Sequence, residues 1–149
     1  MFEETGRIPD LGKEFEVFTA VRFFDKIAFA VTFRKTDPFC VLNLTDPNDP
    51  MELGELSTTG FSSYLHSGIR EDTMLVAVGQ EADENGRIVG LQVTLFDATD
   101  PTNPGVIDRY LVENGRYASS SSSVGWDYKA FRWVSFAYAL GMVILPVSD

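Results

Sequence analysis

At 149 residues, 44% of them hydrophobic and 23% charged, the chain is long enough for one domain with a real core and too apolar to be disordered. Its 22 acidic against 12 basic residues leave a formal net charge of -10, with no local basic patch, which excludes nucleic acid and anionic membrane surfaces as partners. The single cysteine, Cys40, rules out an internal disulfide and reads as a small buried hydrophobe.

In chain order, the first segment is polar and punctuated by Gly6, Pro9 and Gly12, which argues against a helix. It lacks the basic and apolar regions of a signal peptide. Phe15 to Phe24 and Ile27 to Phe33 are rich in Phe, Val and Ala and read as two strands of a hairpin turned at Asp25-Lys26. After Asp37-Pro38, the nearly continuous apolar run Phe39 to Leu44 predicts a strand covered on both faces. The Asp46-Pro47-Asn48-Asp49-Pro50 stretch is a turn, because each proline fixes φ and the preceding Asp side chain can accept from backbone amides ahead of it. Glu52 to Leu56 is a short outer strand.

The order then restarts. Phe61 to Leu65, Met74 to Val78 and Val89 to Phe96 read as strands, with an acidic loop from Glu81 to Gly86 between the second and third. A second turn, Asp100-Pro101-Thr102-Asn103-Pro104, leads into a strand from Val106 to Val112. Asp46 and Asp100, Pro47 and Pro101, and Pro50 and Pro104 are each 54 positions apart. After the serine-rich loop Ser119 to Ser123, Ala130 to Ser135 and Leu140 to Val147 begin a third round. The stretch Phe136 to Val147 is too short to span a bilayer as a helix.

Short strands in fours at this period predict an all-β fold of β-propeller blades, each a four-stranded antiparallel sheet. The expected division is the end of one blade at about 1–14, a blade at 15–57, a second at 60–112 and the start of a further blade at 116–149. That amounts to about two and a half blades, where closed propellers hold roughly 4–8. Closing the ring therefore needs further blades from the same protein or self-association, and a piece of a longer protein is the favoured reading.

Four segments carry a family resemblance. They are Val21-Arg22-Phe23-Phe24 with Val31-Thr32-Phe33-Arg34-Lys35-Thr36-Asp37-Pro38; Gly60-Phe61-Ser62-Ser63-Tyr64-Leu65-His66; Gly79-Gln80-Glu81-Ala82-Asp83-Glu84-Asn85-Gly86-Arg87 with the second Asp-Pro turn; and Asp127-Tyr128-Lys129-Ala130-Phe131. Together they resemble the secreted prokaryotic proteins with a C-terminal β-propeller domain distantly related to WD-40 repeats. The resemblance covers most of residues 15–147. It implies a propeller fold and an extracellular or cell-envelope setting, and it implies no established activity. Two positions depart from the family's pattern: Ser67 stands where the family has proline, and Tyr128 where it has histidine.

His66 is the only histidine, so a single chain holds no multi-histidine metal site, and no His-based triad is evident. At the end of a strand entering a turn, it reads first as a structural hydrogen-bonding residue. Asp127 and Lys129, two apart, are expected to share a strand face beside Trp126, Tyr128 and Phe131, either lining a pocket or forming an ion pair that anchors one blade to the next. These three, His66, Asp127 and Lys129, are the candidate binding residues. Glu81-x-Asp83-x-Asn85-Gly86 resembles the start of a calcium loop but lacks the closing acidic residue, since Gln92 stands there; a solvated hairpin loop is the better reading. Ser119 to Ser123 has no nucleophile context and reads as a flexible loop. No catalytic residue, cofactor or metal is expected.

Two functions remain. One is a non-enzymatic binding or scaffold module that presents loops to a protein or polysaccharide partner, motivated by the repeats and the missing catalytic set. The other is a hydrolase or lyase with a site on the propeller axis near His66 and Asp127. The first is the preferred reading.

Overall fold

The computed structural model describes residues 1, 3–9, 11, 17–33, 37–69, 73–83, 85, 87–112, 120–136 and 141–148. Phe15, Glu16, the Arg34-Lys35-Thr36 link, Glu84, Gly86 and Ser119, which enter the sequence reading, lie outside the described residues.

Among the described residues, ten strands form three antiparallel sheets in chain order. β1 (Val17–Phe24), β2 (Ile27–Phe33), β3 (Asp37–Asn43) and β4 (Met51–Thr58) make the first. β5 (Phe61–Ile69), β6 (Met74–Ala82), β7 (Ile88–Asp97) and β8 (Gly105–Val112) make the second. β9 (Arg132–Ser135) and β10 (Gly141–Ile144) pair as a small third sheet. The result is about two and a half propeller blades in an unclosed stack. Of the strand expected from Leu140 to Val147, Leu140 lies outside the described residues and Gly141–Ile144 is strand; the strand expected from Ala130 begins at Arg132. Residues before β9 are spent instead on two 3-10 turns, Ser123–Gly125 and Tyr128–Ala130.

Local chemistry sets the connections. Asp25 adopts φ 47, the left-handed conformation that an Asp tolerates and a β1–β2 turn requires. In the two Asp-Pro turns, the Asp46 carboxylate accepts from Asn48 N at 2.9 Å and that of Asp100 from Thr102 N at 3.0 Å. The same geometry recurs because the same side chain sits at the same turn position. The Asp83 carboxylate likewise accepts from the amides of Asn85 and Arg87, each at 2.9 Å, closing the β6–β7 hairpin.

Each four-stranded sheet has two apolar faces, as the continuous run in β3 predicts for the first. On the front of the first sheet, Phe29, Val31, Phe39 and Val41 pack against Leu65, Leu75, Ala77, Phe96 and Ala98 on the back of the second. The front of the second sheet, Val76, Val78 and Leu91, packs against Val124, Phe131, Trp133 and Val143 of the third unit. The back of the first sheet, Ala28, Ala30, Cys40 and Leu42, is covered by Ile8 and Leu11. Cys40 is buried there, as expected of a small hydrophobe. At roughly 1.5–3 kcal/mol for each fully buried large side chain, these interfaces supply most of the driving force that holds sheet to sheet.

Candidate functional site

The first strand of each four-stranded sheet, β1 and β5, lies next to the other. They bring Arg22 of β1 to Tyr64, His66 and Ser67 of β5. His66 is within the strand, opposite Val76, and not at a strand end, because β5 continues to Ile69 beyond the Leu65 limit expected from sequence. Register shifts between Ser62 and Tyr64 and between His66 and Ile69 mark bulges on either side of it. Tyr64 and His66 alternate with Leu65, so they share the front face while Leu65 enters the core behind.

Three rings meet on that face. The Phe131 ring centroid lies 4.8 Å from that of His66 and 4.9 Å from that of Tyr64. The Tyr64 hydroxyl is 3.4 Å from His66 Nδ1. Arg22 Nε donates to Ser67 Oγ at 3.3 Å. Burial lowers the His66 pKa from its ordinary 6.5, and the Arg22 charge lowers it further, so the imidazole is neutral near pH 7. Burial raises the Tyr64 pKa, against a smaller opposing pull from Arg22. A neutral imidazole bound to a phenol and flanked by a guanidinium is suited to accept or donate a hydrogen bond. Ser67 supplies the acceptor that a proline side chain would not offer Arg22. Arg22 was missed in the sequence, where the one available signal is a cation inside the apolar run Val21-Arg22-Phe23.

Asp127 and Lys129 are placed differently from the expectation. They belong to a 3-10 turn rather than a strand, and the Asp127 carboxylate accepts from the Lys129 backbone N–H at 3.1 Å. Among the described residues no Asp127–Lys129 ion pair forms; the Lys129 ammonium lies 5.9 Å from the centroid of the Tyr128 ring. Nor does a hydrogen bond join Asp127 to His66.

From Ser120 onward, the segment before it is anchored by hydrogen bonds. Ser120 is fully buried, accepting from Leu91 N at 2.7 Å and donating to Val112 O at 2.5 Å. Ser121 and Ser148 exchange two backbone hydrogen bonds, at 2.8 and 2.9 Å. Ser122 accepts from Val124 N, and Val124 is buried in the second interface. This anchored turn holds Trp126, 78% exposed, and Tyr128 out to solvent. Beside Trp126 a cleft of about 210 Å³ is lined by Phe61, Ser63, Gln80, Ser121 and Ser122.

A further group lies on the back of the first sheet. A bulge between Val41 and Leu42 sets Glu52 opposite Leu42 and Glu55 opposite Cys40, so both acids face the same way despite being three apart. Their carboxylate oxygens and Cys40 Sγ lie within 4.8 Å of one another, a donor set of the kind that can hold a divalent cation. Burial and the neighbouring Glu55 charge raise the Glu52 pKa. Nothing in the sequence signals the bulge.

Comparison with known proteins agrees with this architecture. The chain belongs to the family described as "Beta propeller domain", whose model matches residues 1–149. It is 42% identical over 111 residues to an uncharacterized protein of Archaeoglobus fulgidus, covering 74% of this chain and 16% of the relative. It is 33% identical over 133 residues to the uncharacterized protein MJ1554 of Methanocaldococcus jannaschii, covering 86% of this chain and 18% of the relative. The chain thus spans less than a fifth of the length of these relatives. No solved structure matches. Among the described residues, no helix is long and apolar enough to cross a membrane.

Proposed function

We propose that the chain is a binding module of a β-propeller protein, which presents the 122–130 turn to a polysaccharide or protein partner. The observation that carries this reading is the exposure of Trp126 and Tyr128 on a turn anchored by Ser120, Ser122 and Val124. Exposed aromatic faces held rigidly lose little entropy on binding, and the serine hydroxyls along the adjacent cleft offer hydrogen bonds. That combination suits the alternating apolar faces and hydroxyls of a sugar. With a net charge of -10, a polysaccharide partner is a neutral one rather than an acidic one. An extracellular or envelope setting, which the family resemblance implies, belongs to the same proposal.

The second reading, a hydrolase or lyase at the inner strands, draws on the neutral His66 between Tyr64 and Arg22. It is weaker because Asp127 is occupied in capping its turn. Affinity electrophoresis through gels carrying a panel of neutral polysaccharides tests the binding reading. Retardation by at least one of them supports it; unchanged mobility in all, together with cleavage of any, favours the enzyme.

A further inference from the structure

The residues that line the cleft beside Trp126 run from Phe61 to Trp126, so it is formed between the complete second sheet and the turn that leads to β9. Three contacts close it. Towards β5, Gly125 lies so near Ser63 that a Cβ there would come within 2.7 Å of Ser63 Oγ. Towards β7, Ser120 Oγ accepts from Leu91 N at 2.7 Å. Beneath the turn, Val124 is buried in one cluster with Val78 and Leu91. The open side is the mouth, where Trp126 stands largely exposed. The cleft is a blind socket, not a groove that a chain could cross.

At about 210 Å³ the socket is smaller than the roughly 300–1,000 Å³ of sites that enclose a drug-sized ligand, so it holds one ring and not a run of them. Phe61, Val78 and Leu91 give it an apolar wall, and Gln80 and Ser121 a polar edge. The Ser63 hydroxyl already donates to Val78 O, and Ser122 Oγ accepts from Val124 N. Among the described residues, by contrast, the half-buried Gln80 amide and Ser121 hydroxyl have no hydrogen-bond partner. An amide both donates and accepts, as the neighbouring hydroxyls of a sugar ring do. An apolar protein side chain in the socket would leave both groups desolvated and unpaired. None of the described residues lining it is charged, so nothing there pairs with a uronate or an amino sugar.

We propose, on the binding reading of the 122–130 turn, that the socket takes the terminal residue of a neutral polysaccharide. Gln80 and Ser121 bond its hydroxyls, and Trp126 covers the next residue at the mouth. An internal residue is barred because it carries chain on both sides and the socket has one opening. Binding therefore follows the number of chain ends and not the mass of polymer.

Affinity electrophoresis in the linear neutral polysaccharide that most retards the wild type, intact and cut by limited hydrolysis, tests this. A cut to about a tenth of the length multiplies the ends, so the mass concentration giving half-maximal retardation is expected to fall about tenfold. In Gln80→Ala, checked for native circular dichroism, binding to the cut polymer is expected to weaken about tenfold. A half-maximal mass concentration unchanged by cutting overturns the socket and leaves the binding reading standing. So does Gln80→Ala binding the cut polymer as tightly as the wild type. Retardation by no polysaccharide, intact or cut, removes both.

Discussion

Phe39 of the first sheet and Phe96 of the second stack with centroids 4.4 Å apart and planes within 7°, and this pair lies at the centre of the joint between the two complete sheets. Phe29 extends the stack, 5.8 Å from Phe39. Both partners are almost fully buried, so truncation leaves a cavity between two sheets that cannot close independently. Phe39→Ala and Phe96→Ala are each expected to cost about 3–5 kcal/mol, measured by urea unfolding. The double variant should show a coupling of roughly 0.5–1.5 kcal/mol. Additive losses would mean that the rings do not act as a pair.

Glycine positions separate close strand approach from mere flexibility. A Cβ at Gly79 would overlap the Phe61 carbonyl oxygen, so β5 can lie against β6 only without it. Gly79→Ala is expected to destabilise by about 1–3 kcal/mol. At Gly105 a Cβ meets nothing within 4 Å, and Gly105→Ala should stabilise by roughly 0.4–1 kcal/mol through the unfolded chain. Opposite signs in thermal unfolding check the pair.

Stability should also depend on pH through His66. Its folded pKa lies below the ordinary 6.5, so the unfolded chain binds the proton first. The contribution is complete above pH 6.5 and is lost as pH falls through the folded value. Asp97 and Asp100, held below the ordinary 3.8 by hydrogen bonds to Thr99 and Thr102, add a second loss only in the more acidic range. In His66→Gln the first limb should vanish and the second remain, as read from denaturation midpoints between pH 7.5 and 3. Persistence of the first limb in that variant would assign it to another group.

The parts of the molecule that local chemistry dictates were legible in the sequence. The repeated Asp-Pro turns marked the blades because Asp46 and Asp100 bind amides two residues ahead, an interaction contained in four or five residues. The apolar run of β3 declared itself because both of its faces are covered. Asp127 and Lys129 misled because a spacing of two suits a strand face as well as a capped 3-10 turn, and only the fold decides between them. Arg22 stayed hidden because its partner Ser67 is 45 residues away. The approach of Glu52 to Glu55 depends on a single bulge that composition does not announce.

Affinity electrophoresis of Trp126→Ala beside His66→Ala is the most direct test of the binding reading, using the neutral polysaccharide that most retards the wild type. The account predicts affinity reduced by about tenfold or more in Trp126→Ala, a loss of roughly 1.4 kcal/mol, and unchanged retardation in His66→Ala. Full retention in Trp126→Ala, with loss in His66→Ala, would contradict it and move the site to the inner strands.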